Sequence, residues 1–442
     1  MNNKKEVILK LIEEFINEKH SNKTWTAGKD WVQYAGPYFN SDEFVAAVNT
    51  LLNEWLALGN DSVEFEKQFP KLMGKNYGIV TNSGSSANLL MIAAMLSKNY
   101  YNFSKNTKVL VPVAGFPTTV NPILQLGLTP VFVDIELNTL NIDLNQAEEL
   151  LNKHNDIKII TFAHVLGNPP NMNKVMELVK KYNLILLEDC CDSLGSTYND
   201  QPLGSFGDLA SCSFYPAHHL TAGEGGFISC KTSHQEKILK NLRDWGRSCT
   251  CSGKEAGLSK KGVCGKRFSN WLPSTPNTIF DHKYVYSEIG YNLKPIELQC
   301  SILLQQLKKL PIIHQKRKEN YKTLFNIFSK YEEFFILPRP TANSDPSWFA
   351  FPLTIKNTSI FNRFDICNYL EDNKIQTRNY FGGNLLSQPA YSNLEYSKDA
   401  LLFGNASKVT TDTFFLGTSP VITTEQLEYV KSKVDSFFEK YV

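Results

Sequence analysis

Leu184-Ile185-Leu186-Leu187-Glu188-Asp189-Cys190-Cys191-Asp192 places a short apolar run directly before two acids. A run of that length, preceded by the helix-length amphipathic segment Lys174–Tyr182, reads as a strand buried on both faces. The same alternation extends in both directions. YGIV (77–80), KVLVP (108–112), VFVDI (131–135), IKIITFAH (157–164), SCSFY (211–215) and GFISC (226–230) read as further strands. Ser86–Ser97 and Leu144–Lys153 read as helices between them. Continuous apolar strands separated by helices predict an α/β fold with a mainly parallel central sheet, covered on both faces. Ligands of such sheets bind at the carboxyl ends of the strands, where the polar motifs of this chain fall.

Three regions follow. Residues 1–58 form an N-terminal helical extension, in which Val7, Ile8, Leu11, Ile12, Phe15 and Ile16 recur at helical spacing. Residues 59–305 form a large domain, interrupted at 245–280 by a Cys-rich excursion. A long amphipathic helix beginning near Pro295 leads into residues 306–442, a smaller α+β domain with strands such as WFAFPLTI (348–355) and a C-terminal helix. With 46 Lys+Arg against 44 Asp+Glu, the chain has no global field to attract nucleic acid or a membrane surface. It has no signal-like N-terminus and no apolar stretch of membrane-spanning length, so the expected location is the cytoplasm. In that reducing compartment its nine cysteines are more often ligands or catalytic groups than disulfides.

Three motifs carry chemistry. In Thr81-Asn82-Ser83-Gly84-Ser85-Ser86-Ala87-Asn88 a strand turns into a helix; free amides at the helix start, with Gly84 and Ser85, suit an anion. An ordinary Ser/Asn cap is the plainer alternative. Asp189, at the end of a buried strand, needs a partner; a protonated pyridine nitrogen would serve, as would a metal or a capping role. Ser213-Phe214-Tyr215-Pro216-Ala217-His218-His219 leads into a Gly-rich segment ending at Gly226, with Ser213 offering a hydroxyl. Taken alone, its His pair reads as a metal site or as structure.

In order and spacing the three motifs resemble the DegT/DnrJ/EryC1-type sugar aminotransferase family of the fold-type-I pyridoxal-phosphate enzymes. The resemblance runs from about Gly59 to Val442 and includes NDSVEFEKQF (60–69), HVLGNPPNM (164–172) and GYNLKPIELQCSI (290–302). It implies that Gly84, Ser85 and Ser213 bind the cofactor phosphate, that Asp189 pairs with the pyridine nitrogen and that Phe116 stacks on the ring. It also implies that Asn292 is offered to the neighbouring subunit, and hence a homodimer.

The family carries a lysine where this chain has His218. Imidazole cannot anchor the cofactor covalently, but it can act as a general base. The substitution therefore implies a freely bound pyridoxamine 5′-phosphate (PMP, the amine form of pyridoxal 5′-phosphate, PLP). It also implies loss of a hydroxyl rather than transfer of an amine, with His219 as the neighbouring candidate base. This pattern resembles the sugar 3-dehydratases of the family. One kind uses PMP alone, with glutamate as amino donor; the other adds a [2Fe–2S] cluster fed by a partner reductase.

Cys249-Thr250-Cys251 is followed by Cys264 after twelve intervening residues, and Cys191 precedes Cys249 by fifty-seven. Spacing alone slightly favours structural zinc. Cys191, two residues from Asp189, favours a [2Fe–2S] cluster near the ring. The set resembles the iron–sulfur branch, except that its last gap is longer, by a loop insertion around Glu255–Lys261 of a kind that costs little. Cys190, Cys212, Cys230, Cys300 and Cys367 read as ordinary buried cysteines. The expected activity is PMP- and [2Fe–2S]-dependent C3 deoxygenation of a nucleotide-linked, CDP-favoured 4-keto-6-deoxyhexose, toward the 3,6-dideoxyhexoses of surface polysaccharide such as O-antigen. The chain has no flavin or nicotinamide fingerprint, so a separate NAD(P)H-dependent flavin/iron–sulfur reductase is implied. The alternatives are a cluster-free dehydratase or aminotransferase, and a non-catalytic zinc-containing homologue.

Overall fold

The apolar runs assemble into one seven-stranded sheet in a computed structural model that describes residues 2–253, 258–394 and 402–440. Residues 255–257 of the expected loop insertion lie outside the described residues. The strands are β1 (Tyr77–Thr81), β2 (Lys108–Pro112), β3 (Thr129–Val133), β4 (Ile157–Ala163), β5 (Ile185–Asp189), β6 (Leu209–Ser213) and β7 (Gly226–Cys230), in spatial order β1-β7-β6-β5-β4-β2-β3. From β3 to β6 every pairing is parallel; β7 runs antiparallel to both β1 and β6. Side chains alternate between the faces. Val109, Val111, Ile159 and Leu187 join one apolar cluster, and Leu110, Ile160, Leu186 and Phe162 join the other. Helices close both faces, which is why these strands carry no polar face.

Two strands begin and end earlier than the apolar pattern predicts. β3 stops before Asp134, whose carboxylate accepts the amides of Asn405 (3.0 Å) and Ala406 (2.8 Å). β6 stops at Ser213, where the Tyr215 amide turns back onto the Ser213 hydroxyl at 3.3 Å.

The helix Glu297–Phe328 runs unbroken through the expected boundary at residue 305. It serves two cores: Cys300, Leu303 and Ile313 pack with the large sheet, while Leu324, Ile327 and Phe328 pack with the small domain. Glu297 accepts the Gly59 and Asp61 amides at 2.6 Å each, fixing the start of the large domain to this helix. The small domain has an antiparallel four-stranded sheet, in the order Phe335–Ile336, Ala350–Ile355, Thr413–Gly417, Arg378–Asn379. The N-terminal segment reaches it too, through a bridge from Val32 to Ile375.

The first helix spans Asn2–Ser21, but most of its apolar stripe is not covered among the described residues: Ile16 is buried, whereas Val7, Ile8, Leu11 and Phe15 are exposed. No helix among the described residues is long and apolar enough to cross a membrane.

Candidate active site

β1 ends at Thr81, and Ser83 caps the next helix by accepting the Ser86 amide at 3.1 Å. Ser83 also accepts the Ala87 amide through its carbonyl. Helix geometry leaves the Gly84 and Ser85 amides pointing out of the N-terminus, where the helix dipole favours an anion. Gly84 is obligatory on distance alone. A Cβ there would lie 2.5 Å from Ser213 Cβ, 2.9 Å from Ser213 Oγ and 3.1 Å from Cys191 Sγ. The missing side chain thus lets Gly84, Ser213 and Cys191 meet at the ends of β1, β6 and β5.

Asp189 is buried at the end of β5. Its Oδ2 accepts from Asn88 Nδ2 and Thr119 Oγ1, each at 2.8 Å. Its Oδ1 accepts from the Cys191 amide at 3.2 Å and Ser211 Oγ at 3.3 Å. Four donors suit a carboxylate, whose lone pairs can take them all. Asn88, Thr119 and Ser211 are functional residues that sequence reasoning missed. Asn88 lies on the turn after the cap, yet only tertiary packing shows that it faces Asp189. Glu188 points to the opposite face, where it accepts the Gly207 and Gly204 amides at 2.6 and 3.0 Å and contacts His164 Nε2 at 2.9 Å.

A cleft is lined by Phe116, Thr119, Ala163, Asp192 and Phe381 among others, and Thr119 joins it to Asp189. Phe116 is half exposed and meets Phe381 edge-on at 5.9 Å. His218 enters from the β6–β7 connection. Its Nε2 lies 3.7 Å from Asp192 Oδ1, and its ring stands edge-on to Phe349 at 5.4 Å. Burial, and secondarily the Arg317 charge, push its pKa down to about 3, so the imidazole is neutral. Burial, and then neighbouring Asp189, push Asp192 up to about 7. Asp192 was a second omission: its place beside Cys191 in the sequence gave no hint that it faces His218. His219 turns the other way and is buried, with its Nε2 2.7 Å from the Ser347 carbonyl.

Asn292 lies beside the turn after β1: its neighbour Leu293 accepts the Asn82 amide at 2.8 Å. Its own side chain accepts from Lys294 Nζ at 2.6 Å. The excursion brings Cys249, Cys251 and Cys264 together. Burial, and then neighbouring Cys251 and Cys264, push the Cys249 thiol pKa up. At Gly262, with φ +68°, an added Cβ would be 3.7 Å from both the Cys251 and Cys264 sulfurs. Cys264 Sγ is also 3.8 Å from His282 Nδ1. Cys191 is the member of the set at the end of β5, against Gly84 and Asp189.

The sheet, the capped helix start after β1 and the acid at the end of β5 fit a fold-type-I pyridoxal-phosphate transferase architecture. The chain belongs to the DegT/DnrJ/EryC1/StrS aminotransferase family, whose model matches residues 39–435. It is 42% identical over 439 residues to the lipopolysaccharide biosynthesis protein RfbH of Salmonella typhimurium, covering 99% of this chain and 98% of that one. It is 38% identical to the dTDP-4-dehydro-2,6-dideoxy-D-glucose 3-dehydratase of Saccharopolyspora spinosa, covering 99% and 92%. Among solved structures it resembles an E. coli GDP-4-keto-6-deoxy-D-mannose-3-dehydratase with bound hydrated PLP, with TM-score 0.78, 28% identity, and 92% and 99% of the two chains covered.

Proposed function

We propose that this protein is a PMP-dependent 3-dehydratase of a nucleotide-linked 4-keto-6-deoxyhexose, CDP-linked by preference, that completes the deoxygenation through a [2Fe–2S] cluster. The observation that carries the reading is a neutral imidazole, His218, set 3.7 Å from the cleft-lining Asp192 where the family has lysine. The 3-dehydratase and lipopolysaccharide names of its relatives support the same reading.

The residues present fit the cofactor. Gly84 leaves room for an anion against two free amides and the Ser213 hydroxyl, and Asp189 is held where a ring nitrogen would meet it. Bound PMP supplies an amine that condenses with the sugar's C4 keto group and a ring that accepts electrons. Gly84, Ser85 and Ser213 would hold the phosphate, Asp189 would keep the ring nitrogen protonated, and Phe116 would cover the ring face. His218 would serve as the general base at the cofactor's C4′ carbon, with Asp192 facing the imidazole at 3.7 Å.

The converging sulfurs of Cys249, Cys251 and Cys264 fit a thiolate-bound group, and Cys191 is the proposed fourth ligand. The cluster would supply single electrons, received from a separate NAD(P)H-dependent flavin/iron–sulfur reductase. A cytoplasmic homodimer, with Asn292 offered to the neighbouring site, completes the proposal. The test is an anaerobic preparation analysed for iron, sulfide, zinc and PMP, with its visible spectrum and its turnover with and without reductant. Iron, PMP and reductant-dependent turnover are expected. Turnover without iron but with glutamate would mean a cluster-free enzyme, and zinc without PMP a non-catalytic one.

A further inference from the structure

Arg317 is buried on the long helix at 1% exposure. The four hydrogen bonds it makes among the described residues all go to backbone carbonyls. One guanidinium nitrogen donates to Trp348 (3.3 Å) and Phe349 (3.0 Å), the other to Ala217 and His218 (3.2 Å each). A guanidinium stripped of water is costly, and an apolar side chain of similar volume would fill the same space at less cost. What an apolar side chain cannot do is join two backbone segments. The planar fork of arginine does so with fixed geometry, and the compact ammonium of lysine does not. One of the joined segments is the turn that carries His218. The other is the small-domain segment whose Phe349 ring packs edge-on to His218.

We propose that Arg317 is a positioning residue for His218, clamping the Ala217–His218 turn to Trp348–Phe349 so that the imidazole keeps its place against Asp192. The proposal rests on the reading of His218 as the base. The charged and titratable groups facing His218 are Asp192 at 3.7 Å, Arg317, and Tyr215 with ring centres 6.3 Å apart; His219 adjoins it in the chain. Arg317 is also the charged neighbour that holds the imidazole unprotonated, second to burial. The clamp therefore sets both where the base points and the form in which it waits.

The test uses the PMP-loaded enzyme and two substitutions, R317M and R317K. R317M removes fork and charge; R317K keeps the charge and loses the fork. Misplacing a catalytic group by about 1 Å costs about 10²-fold, so kcat should fall by that order in both variants while KM changes little. A second readout does not depend on turnover. The rate at which diethylpyrocarbonate acylates His218, followed by mass spectrometry across pH, should develop a higher-pH acidic limb in R317M and not in R317K. Wild-type kcat together with a wild-type acylation profile in folded R317M would overturn the clamp. Should R317M fail to fold, R317K decides: a lowered kcat at unchanged KM supports the clamp, and a wild-type kcat overturns it. The two claims fail separately. Full turnover by H218N would remove the base reading, and an acylation profile altered in R317M would still stand for the clamp.

Discussion

Replacing Gly84 by alanine tests the phosphate cradle most directly. The new methyl would lie 2.5 Å from Ser213 Cβ and 2.9 Å from Ser213 Oγ. Carbon atoms sit comfortably at about 3.5–4.0 Å, so the helix start and the end of β6 must separate by about 1 Å. Both are backbone-fixed, and overpacking of this kind costs about 1–3 kcal/mol. The relief opens the gap between the Gly84 amide and the Ser213 hydroxyl, the two sides of the cradle. If the cost falls on binding, PMP affinity drops by about 5- to 150-fold, at 1.4 kcal/mol per tenfold. The assay is a fluorescence titration of the apoprotein with PMP, and in parallel with pyridoxamine, which lacks the phosphate. Pyridoxamine binding should change far less. Wild-type PMP affinity in G84A, or an equal loss for both ligands, would refute the assignment of this turn to the phosphate.

His218→Asn should lower turnover by about 10²–10⁴-fold while PMP still binds, measured by steady-state kinetics and titration. His219→Asn should instead lose about 1–3 kcal/mol of stability, read in urea, because its Nε2 faces the buried Ser347 carbonyl. Asp189→Ala strands the donors of Asn88, Thr119 and Cys191, each worth about 1–3 kcal/mol when buried unpaired, while Ser211 keeps its 2.6 Å bond to Asn88 Oδ1. Denaturation midpoints should fall accordingly, and a wild-type midpoint would count against that network. Cys264→Ser should reduce bound iron after anaerobic reconstitution; full iron content would remove Cys264 from the ligand set. His314 has its pKa lowered from 6.5 to about 4 by burial and then by Arg317, so the unfolded chain takes up a proton below pH 6.5 that the folded chain refuses. Its contribution is present above pH 6.5 and is lost as pH falls toward 4, by about 3 kcal/mol. His314→Asn should flatten the fall in urea midpoint between pH 7 and 4.5, and an unchanged fall would show that other groups carry it.

The sheet was legible because its strands are buried on both faces and so are apolar throughout: KVLVP and GFISC are strands over the residues the pattern predicts. The antiparallel insertion of β7 between β1 and β6 was not legible, since pairing partners are chosen by long-range contacts that leave no local period. Asp134 shows how a strand end escapes the pattern: VFVDI continues to look like a strand, but the acid is drawn off by amides at 405 and 406. At the site, the residues that would touch the cofactor could be named from motifs. The residues that hold those in place could not. Asn88, Thr119, Ser211 and Arg317 act across separations of 22 to 101 residues, through bonds that no motif encodes. The first helix illustrates the converse: its amphipathic period was plain, but not which surface would meet the stripe.

The helix from Glu297 to Phe328 also works as a ruler. Glu297 holds the amides of Gly59 and Asp61, next to the cysteine loop, where Gly253 approaches the Asn60 side chain. Arg317 grips the histidine turn twenty residues further on, about 30 Å along a straight helix. Inserting or deleting a residue between them would rotate one grip by about 100° relative to the other. Length variation between Glu297 and Arg317 should therefore be poorly tolerated, whereas the loop between Cys251 and Cys264 can take an insertion at little cost.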